Sequence, residues 1–116
     1  MSIVRHEQGA VFHKAVEANG FVFLSGLVAE DTAQDVTGQT RQILAEIDRL
    51  LGVCGTDKSK IVSTMIWVTD IRNRDAMNAV WTEWTNGPDL SVRACVEARL
   101  ATPDMLVEIQ VTAVKG

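Results

Sequence analysis

The chain has 116 residues, 47% of them hydrophobic and 22% charged, the size and balance of one domain spanning 1–116. A net charge of -4, with Lys and Arg scattered rather than clustered, argues against a nucleic-acid partner, whose affinity comes mainly from neutralising phosphates. No apolar run approaches the roughly 20 residues needed to cross a bilayer, and Met1-Ser2-Ile3-Val4-Arg5-His6 has no apolar secretory core, so a cytoplasmic protein with no membrane partner is expected.

In chain order, the first strong signal is a hairpin. Val11 to Glu17 and Phe21 to Val28 are rich in apolar and β-branched residues, and Asn19-Gly20 between them accepts positive φ at both centres of a type I′ turn. Ser25-Gly26 inside the second run predicts a bulge or a close approach by another group. Glu30 to Gln34 reads as a loop, after which Asp35 or Thr37 caps a helix. Its apolar stripe is Val36, Thr40, Ile43, Leu44, Ile47, Leu50 and Leu51, and Gly52 and Gly55 end it.

Lys60 to Thr69 is apolar or β-branched in both parities, as in a central strand. Asn73 or Asp75 caps a second helix with the stripe Met77, Val80, Trp81 and Trp84, and Asn86-Gly87-Pro88 stops it. Ser91 to Leu100 and Leu106 to Val114 are strands flanking a Thr102-Pro103-Asp104 turn. The order β-β-α-β-α-β-β predicts an α+β fold, a mixed sheet with both helices on one face and the other face uncovered. Cys54 and Cys95 show no CxxC and no grouping with histidine, which predicts reduced thiols and no metal site. Cys54 reads as a small buried apolar residue, His6 and His13 as isolated surface histidines, and Trp67 as packing between sheet and helix.

The last two strands carry the functional signal. Side chains alternate along a strand. Arg93, Cys95 and Glu97 share one parity, and Glu108, Gln110 and Thr112 share another. If the two strands pair, Arg93, Cys95, Glu97 and Glu108 occupy one face, opposite the helices. Alternation alone leaves two readings: a solvated face with cross-strand ion pairs, or a polar wall between subunits. In the second, an arginine presents a rigid fork of donors to a substrate carboxylate, and a glutamate positions a water.

At Ser91-Val-Arg-Ala-Cys-Val-Glu-Ala-Arg-Leu100 and Leu106-Val-Glu-Ile-Gln-Val-Thr-Ala-Val114 the chain resembles the reactive intermediate deaminase (Rid, or YjgF) family. Phe23-Leu-Ser-Gly26, the helix beginning Gln39-Thr-Arg-Gln-Ile-Leu44, the strand Val62 to Asp70 and Met77-Asn-Ala-Val-Trp81 extend the likeness over nearly the whole chain. The resemblance implies a chorismate-mutase-like fold assembled as a homotrimer, with sites in the clefts between subunits. It implies cofactor-free hydrolysis of 2-imino or 2-enamino acids to 2-keto acids and ammonia. By the same likeness Arg93 grips the substrate carboxylate, the backbone of Cys95 faces the substrate, and Glu108 orients the attacking water. Ser25 and Gly26 line the pocket, and Phe12 stands where active members usually carry a tyrosine. This chain has no tyrosine at all, Leu27 replaces the glutamine after Ser25-Gly26, and no proline precedes Arg93. Two alternatives accompany the enzyme reading: a non-catalytic regulator binding small carboxylates through Arg93, and an endoribonuclease, which the acidic charge disfavours.

Overall fold

The computed structural model describes residues 2–116; Met1, the first residue of the N-terminal stretch read above, lies outside them. Six strands, β1 (Ile3–Gln8), β2 (His13–Ala18), β3 (Phe21–Leu24), β4 (Ile61–Val68), β5 (Val92–Glu97) and β6 (Val107–Val114), form one sheet in the order β1-β2-β3-β6-β4-β5. Two helices, α1 (Val36–Val53) and α2 (Arg74–Thr85), pack against each other and against one face of it. The extents, 42 × 37 × 20 Å, are those of a two-layer slab.

The local signals act as expected. Asn19 (φ 53°) and Gly20 (φ 81°) both take the left-handed region and close the β2–β3 hairpin. The Asp35 side chain caps α1, accepting from Gly38 N at 2.9 Å. Asn86 at φ 37° ends α2. The apolar stripes of both helices meet Ala15, Val22, Leu24, Ile66, Val68, Val107, Ile109 and Val111 in one core.

The structure adds β1, an edge strand antiparallel to β2. In Ile3-Val4-Arg5-His6-Glu7-Gln8 only His6 is partly buried and the other five are exposed, so no period-2 signal exists to be read.

The larger correction concerns β5 and β6, which do not pair. The unit β4-α2-β5 is a βαβ crossover, so β5 lies parallel to β4 at the sheet's free edge. Residues 98–106 then carry the chain across the end of β4, and β6 inserts antiparallel between β3 and β4.

Candidate active site

The insertion of β4 between β5 and β6 decides which side chains share a face. Cross-strand partners lie on the same face. Cys95 stands opposite Ile66 and Arg93 opposite Thr64, residues buried beneath the helices. Glu108 stands opposite Trp67, and Trp67 opposite Val96. Arg93, Cys95 and Glu97 are therefore on the helix side of the edge strand, and Glu108 is on the open face. The expectation of one face for all four, opposite the helices, is corrected for the first three. Trp67 is likewise corrected: it lies on the open face, not between sheet and helix.

Arg93 is held from below. Its Cζ lies 5.5 Å from the ring centroid of Trp81 in α2, a cation–π contact with an indole that is 8% exposed. No carboxylate among the described residues forms an ion pair with it, so the guanidinium is charged, exposed and available. Glu97 turns to the same side and accepts from Ile71 N at 2.9 Å. Half-buried Cys95 packs against the core. The Ala98 N–H donates to Val68 O at 2.9 Å. By alternation, the N–H groups of Arg93 and Cys95 turn away from β4, off the free edge. Arg93 thus presents side chain and backbone donor to the same outside space.

The second group lies on the open face. The β3–β6 register slips by one residue between the pairs Phe23–Thr112 and Leu27–Ile109, and the slip places Ser25-Gly26 beneath Glu108. A Cβ built on Gly26 would lie 2.3 Å from Glu108 Oε2, so only a glycine leaves this carboxylate its position. Glu108 is half-buried and accepts no hydrogen bond among the described residues. Desolvation by its surroundings raises its carboxyl above the usual carboxylate range. Next to it, Ser25 Oγ is buried without a hydrogen-bond partner among the described residues. Phe12, 56% exposed, precedes β2 in a turn closed by Gly9 N–H to Phe12 O at 2.8 Å.

So the structure brings Ser25, Gly26 and Glu108 together and keeps Arg93 with Cys95, on opposite faces. Two strand spacings and three residue rises separate Arg93 from Glu108 by about 14 Å along the backbone. Within one chain these groups do not meet around a small substrate. Sequence reasoning missed Trp81 as the platform for Arg93, because the two sit on elements whose contact only the crossover creates.

Residues 4–115 match the family model described as Endoribonuclease L-PSP. A RutC family protein of Haemophilus ducreyi is 37% identical over 102 residues, 88% of this chain and 87% of the relative. The RutC family protein YoaB of Escherichia coli is 34% identical over 113 residues, 97% of this chain and 98% of the relative. Among solved structures, a YjgF-family protein from Neisseria meningitidis superposes with a TM-score of 0.96 at 42% identity, covering 100% of this chain and 97% of that one. A conserved Rid-family protein from Yersinia pestis does so with a TM-score of 0.89 at 31% identity, covering 97% and 99%. With residues 4–115 matched in sequence and the whole chain matched in fold, the chain belongs to the Rid/YjgF family.

Proposed function

We propose that the protein hydrolyses small reactive 2-imino or 2-enamino acids to 2-keto acids and ammonia, without a cofactor, at sites shared between copies of a homotrimer. The observation that carries this reading is Arg93: an exposed guanidinium on a free edge strand, supported by an indole, with no acid among the described residues to neutralise it. Such a group binds a carboxylate through paired, charge-assisted hydrogen bonds. The placement of Glu108 on the other face supports an intersubunit site, in which Arg93 of one copy meets Glu108, Ser25 and Gly26 of another.

In the chemistry proposed, an enamine first tautomerises to the imine, whose protonated nitrogen makes the carbon electrophilic. Water held by Glu108 adds to that carbon. The water proton passes to the carboxylate, and the C=N electron pair passes to nitrogen. The carboxyl then returns the proton to the amine. The C–N bond breaks as the hydroxyl proton passes to the regenerated Glu108 carboxylate and C=O forms, releasing ammonia and the 2-keto acid; the carboxyl then gives that proton to solvent or to the ammonia. Burial raises Glu108 toward the range in which a base works at neutral pH. Fixing anchor and water together removes several kcal/mol, roughly, of the entropic barrier. Phe12 packs on the substrate but has no hydroxyl to donate, an observation that favours the second reading, a carboxylate-binding regulator. The ribonuclease reading is disfavoured because much of the positive charge is paired internally, as in Arg49 with Glu7 and Glu46, Arg72 with Asp70, and Lys115 with Glu17.

The test is ammonia release from enzymatically generated 2-aminoacrylate. Turnover is expected from the unaltered protein and is expected to vanish in Arg93→Ala and in Glu108→Gln. Mixed and reassembled in equal amounts, the two inactive variants should recover about a quarter of the normal sites, because a shared site needs an intact residue from each of two neighbours. No recovery on mixing would overturn the shared site. Full activity in Arg93→Ala would overturn the mechanism. No ammonia from the unaltered protein, with a 2-keto acid bound through Arg93, would select the regulator.

A further inference from the structure

His6 and Cys54 are far apart in sequence, yet the fold brings them together with Glu17. His6 on β1 and Glu17 on β2 share the helix side of the sheet, with His6 Nε2 2.6 Å from Glu17 Oε2. Cys54 is the residue that ends α1, its N–H bonded to Leu50 O and Leu51 O. One nitrogen, one carboxylate oxygen and the sulfur all lie within 4.8 Å of one another. The expectations of isolated histidines and of no Cys/His grouping are corrected here for His6 and Cys54.

We propose that His6, Glu17 and Cys54 form a binding site for a thiophilic divalent cation of the zinc type. Imidazole nitrogen, thiolate sulfur and carboxylate oxygen are the three donor types of tetrahedral zinc sites. In such a site the donors stand about 3–4 Å apart, given bonds of roughly 2.0–2.3 Å, so closure from 4.8 Å needs side-chain adjustment only. With three protein ligands, the fourth position is left to water. The thiolate and imidazole select zinc or cobalt over magnesium or calcium.

Three further features fit a cation. The donors come from two paired strands and a helix end, so their backbones are fixed before any ion arrives. Glu17 is aimed at both His6 and Lys115, its two carboxylate oxygens each within hydrogen-bond distance of one of them. Lys115 Nζ, 2.7 Å from Glu17 Oε1 and 47% exposed, supplies the positive charge that a metal ion would replace, and is free to swing into solvent. A nucleophilic role for the thiol is excluded by its burial: Cys54 is 1% exposed, and desolvation raises its pKa. Binding therefore releases the thiol proton and frees His6 Nε2 from Glu17. The charged groups facing the thiol are Glu17, Lys115 and Glu7, and because a cation binds the thiolate, acid weakens binding. The site lies at the β1–β2 side of the sheet, away from β5 and on the face opposite Glu108. It is independent of the proposed deaminase site.

The experiment is titration of the reduced, chelator-treated protein with cobalt(II), read by absorbance. The expected result is a thiolate-to-cobalt charge-transfer band saturating at one ion per chain and abolished by zinc but not magnesium. Cys54→Ser should remove the band, and Cys95→Ser should leave it. His6→Ala and Glu17→Gln should weaken binding by more than the roughly tenfold that an outer-shell change costs. Lys115→Met should tighten it. If Cys54→Ser does not fold, the His6 and Lys115 variants decide. Absence of the band at millimolar cobalt, its survival in Cys54→Ser, its loss in Cys95→Ser, or affinity unchanged in His6→Ala would each overturn the site.

Discussion

Gly26→Ala isolates the position of one carboxylate from the stability of the fold. The added Cβ would lie 2.3 Å from Glu108 Oε2 and 3.1 Å from Cδ, whereas ordinary contact begins at 3.4 Å. The carboxylate must therefore move by about 3.4 − 2.3 = 1.1 Å. The obstacle is the end of a flexible side chain, and Gly26 is not among the residues of positive φ, so the backbone accepts alanine. Less freedom in the unfolded chain stabilises by roughly 0.4–1 kcal/mol, offsetting the displacement of Glu108. A 1 Å misplacement of a positioning group costs on the order of 10²-fold, or about 2.7 kcal/mol of transition-state stabilisation. The expected result is a melting temperature within a few degrees of the unaltered protein and kcat/KM for 2-aminoacrylate lower by about two orders of magnitude. Gly20→Ala supplies the inverse pattern. None of the described residues crowds that position, but its φ of 81° makes a side chain cost roughly 1–2 kcal/mol. It should lower stability and leave activity per folded chain intact. If Gly26→Ala retains full kcat/KM while a crystal structure shows Glu108 displaced, Glu108 does not position the water.

Gln39 is fully buried; its amide donates to Thr32 O, Gln34 O and Asp104 O, and its carbonyl accepts from Leu106 N, which ties the loop before α1 to the start of β6. Gln39→Leu strands these groups and should cost about 3 kcal/mol in urea unfolding, with the m-value unchanged. Asp35→Ala should cost about 1 kcal/mol, seen as a melting temperature lower by roughly 4 °C, by releasing Gly38 N. Because burial raises the folded pKa of Glu108, both states are protonated below the unfolded value and no penalty exists there. As pH rises past that value the unfolded chain ionises first, so this residue's contribution falls through the window up to the raised pKa. Glu108→Gln should therefore melt higher than the unaltered protein at pH 7 and equally near pH 3.5, a comparison made by calorimetry.

The parts of the fold legible in the sequence were those set by local chemistry: the Asn19-Gly20 turn, the Asp35 cap, and the stripes of α1 and α2. Each is fixed by a few neighbouring residues. The alternation in β6 correctly separated Ile109 from Glu108, because β6 lies between strands on both sides and its two faces differ sharply in environment. In β5 the same logic assigned the faces backwards. Val92, Ala94 and Val96 look like the core-facing set, yet they lie on the open face, with Val92 72% exposed. An edge strand is buried mainly from one side, and its apolar residues here suit a surface that one chain leaves bare. The His6–Glu17–Cys54 cluster was illegible for another reason: its members are joined by strand pairing and a helix end, which no residue spacing encodes.

That misassignment bears on how the site is built. Phe21, Phe23, Val92 and Val96 are all partly exposed on the face that no helix covers, and one cross-strand row runs from Val16 through Phe23, Thr112 and Ser63 to Val92. Apolar area of this kind is expensive in water and is relieved when copies of the chain pack sheet to sheet. The carboxylate of Glu108 lies on that face, while Arg93 projects from the strand at its rim. Under the proposed function, assembly and catalysis are then one event: the burial that drives association also brings the guanidinium of one copy to the carboxylate of the next. Substitutions that weaken the open face, such as Phe23→Ser, should on this view lower activity in proportion to the loss of assembled protein, although Phe23 has no role in the proposed chemistry.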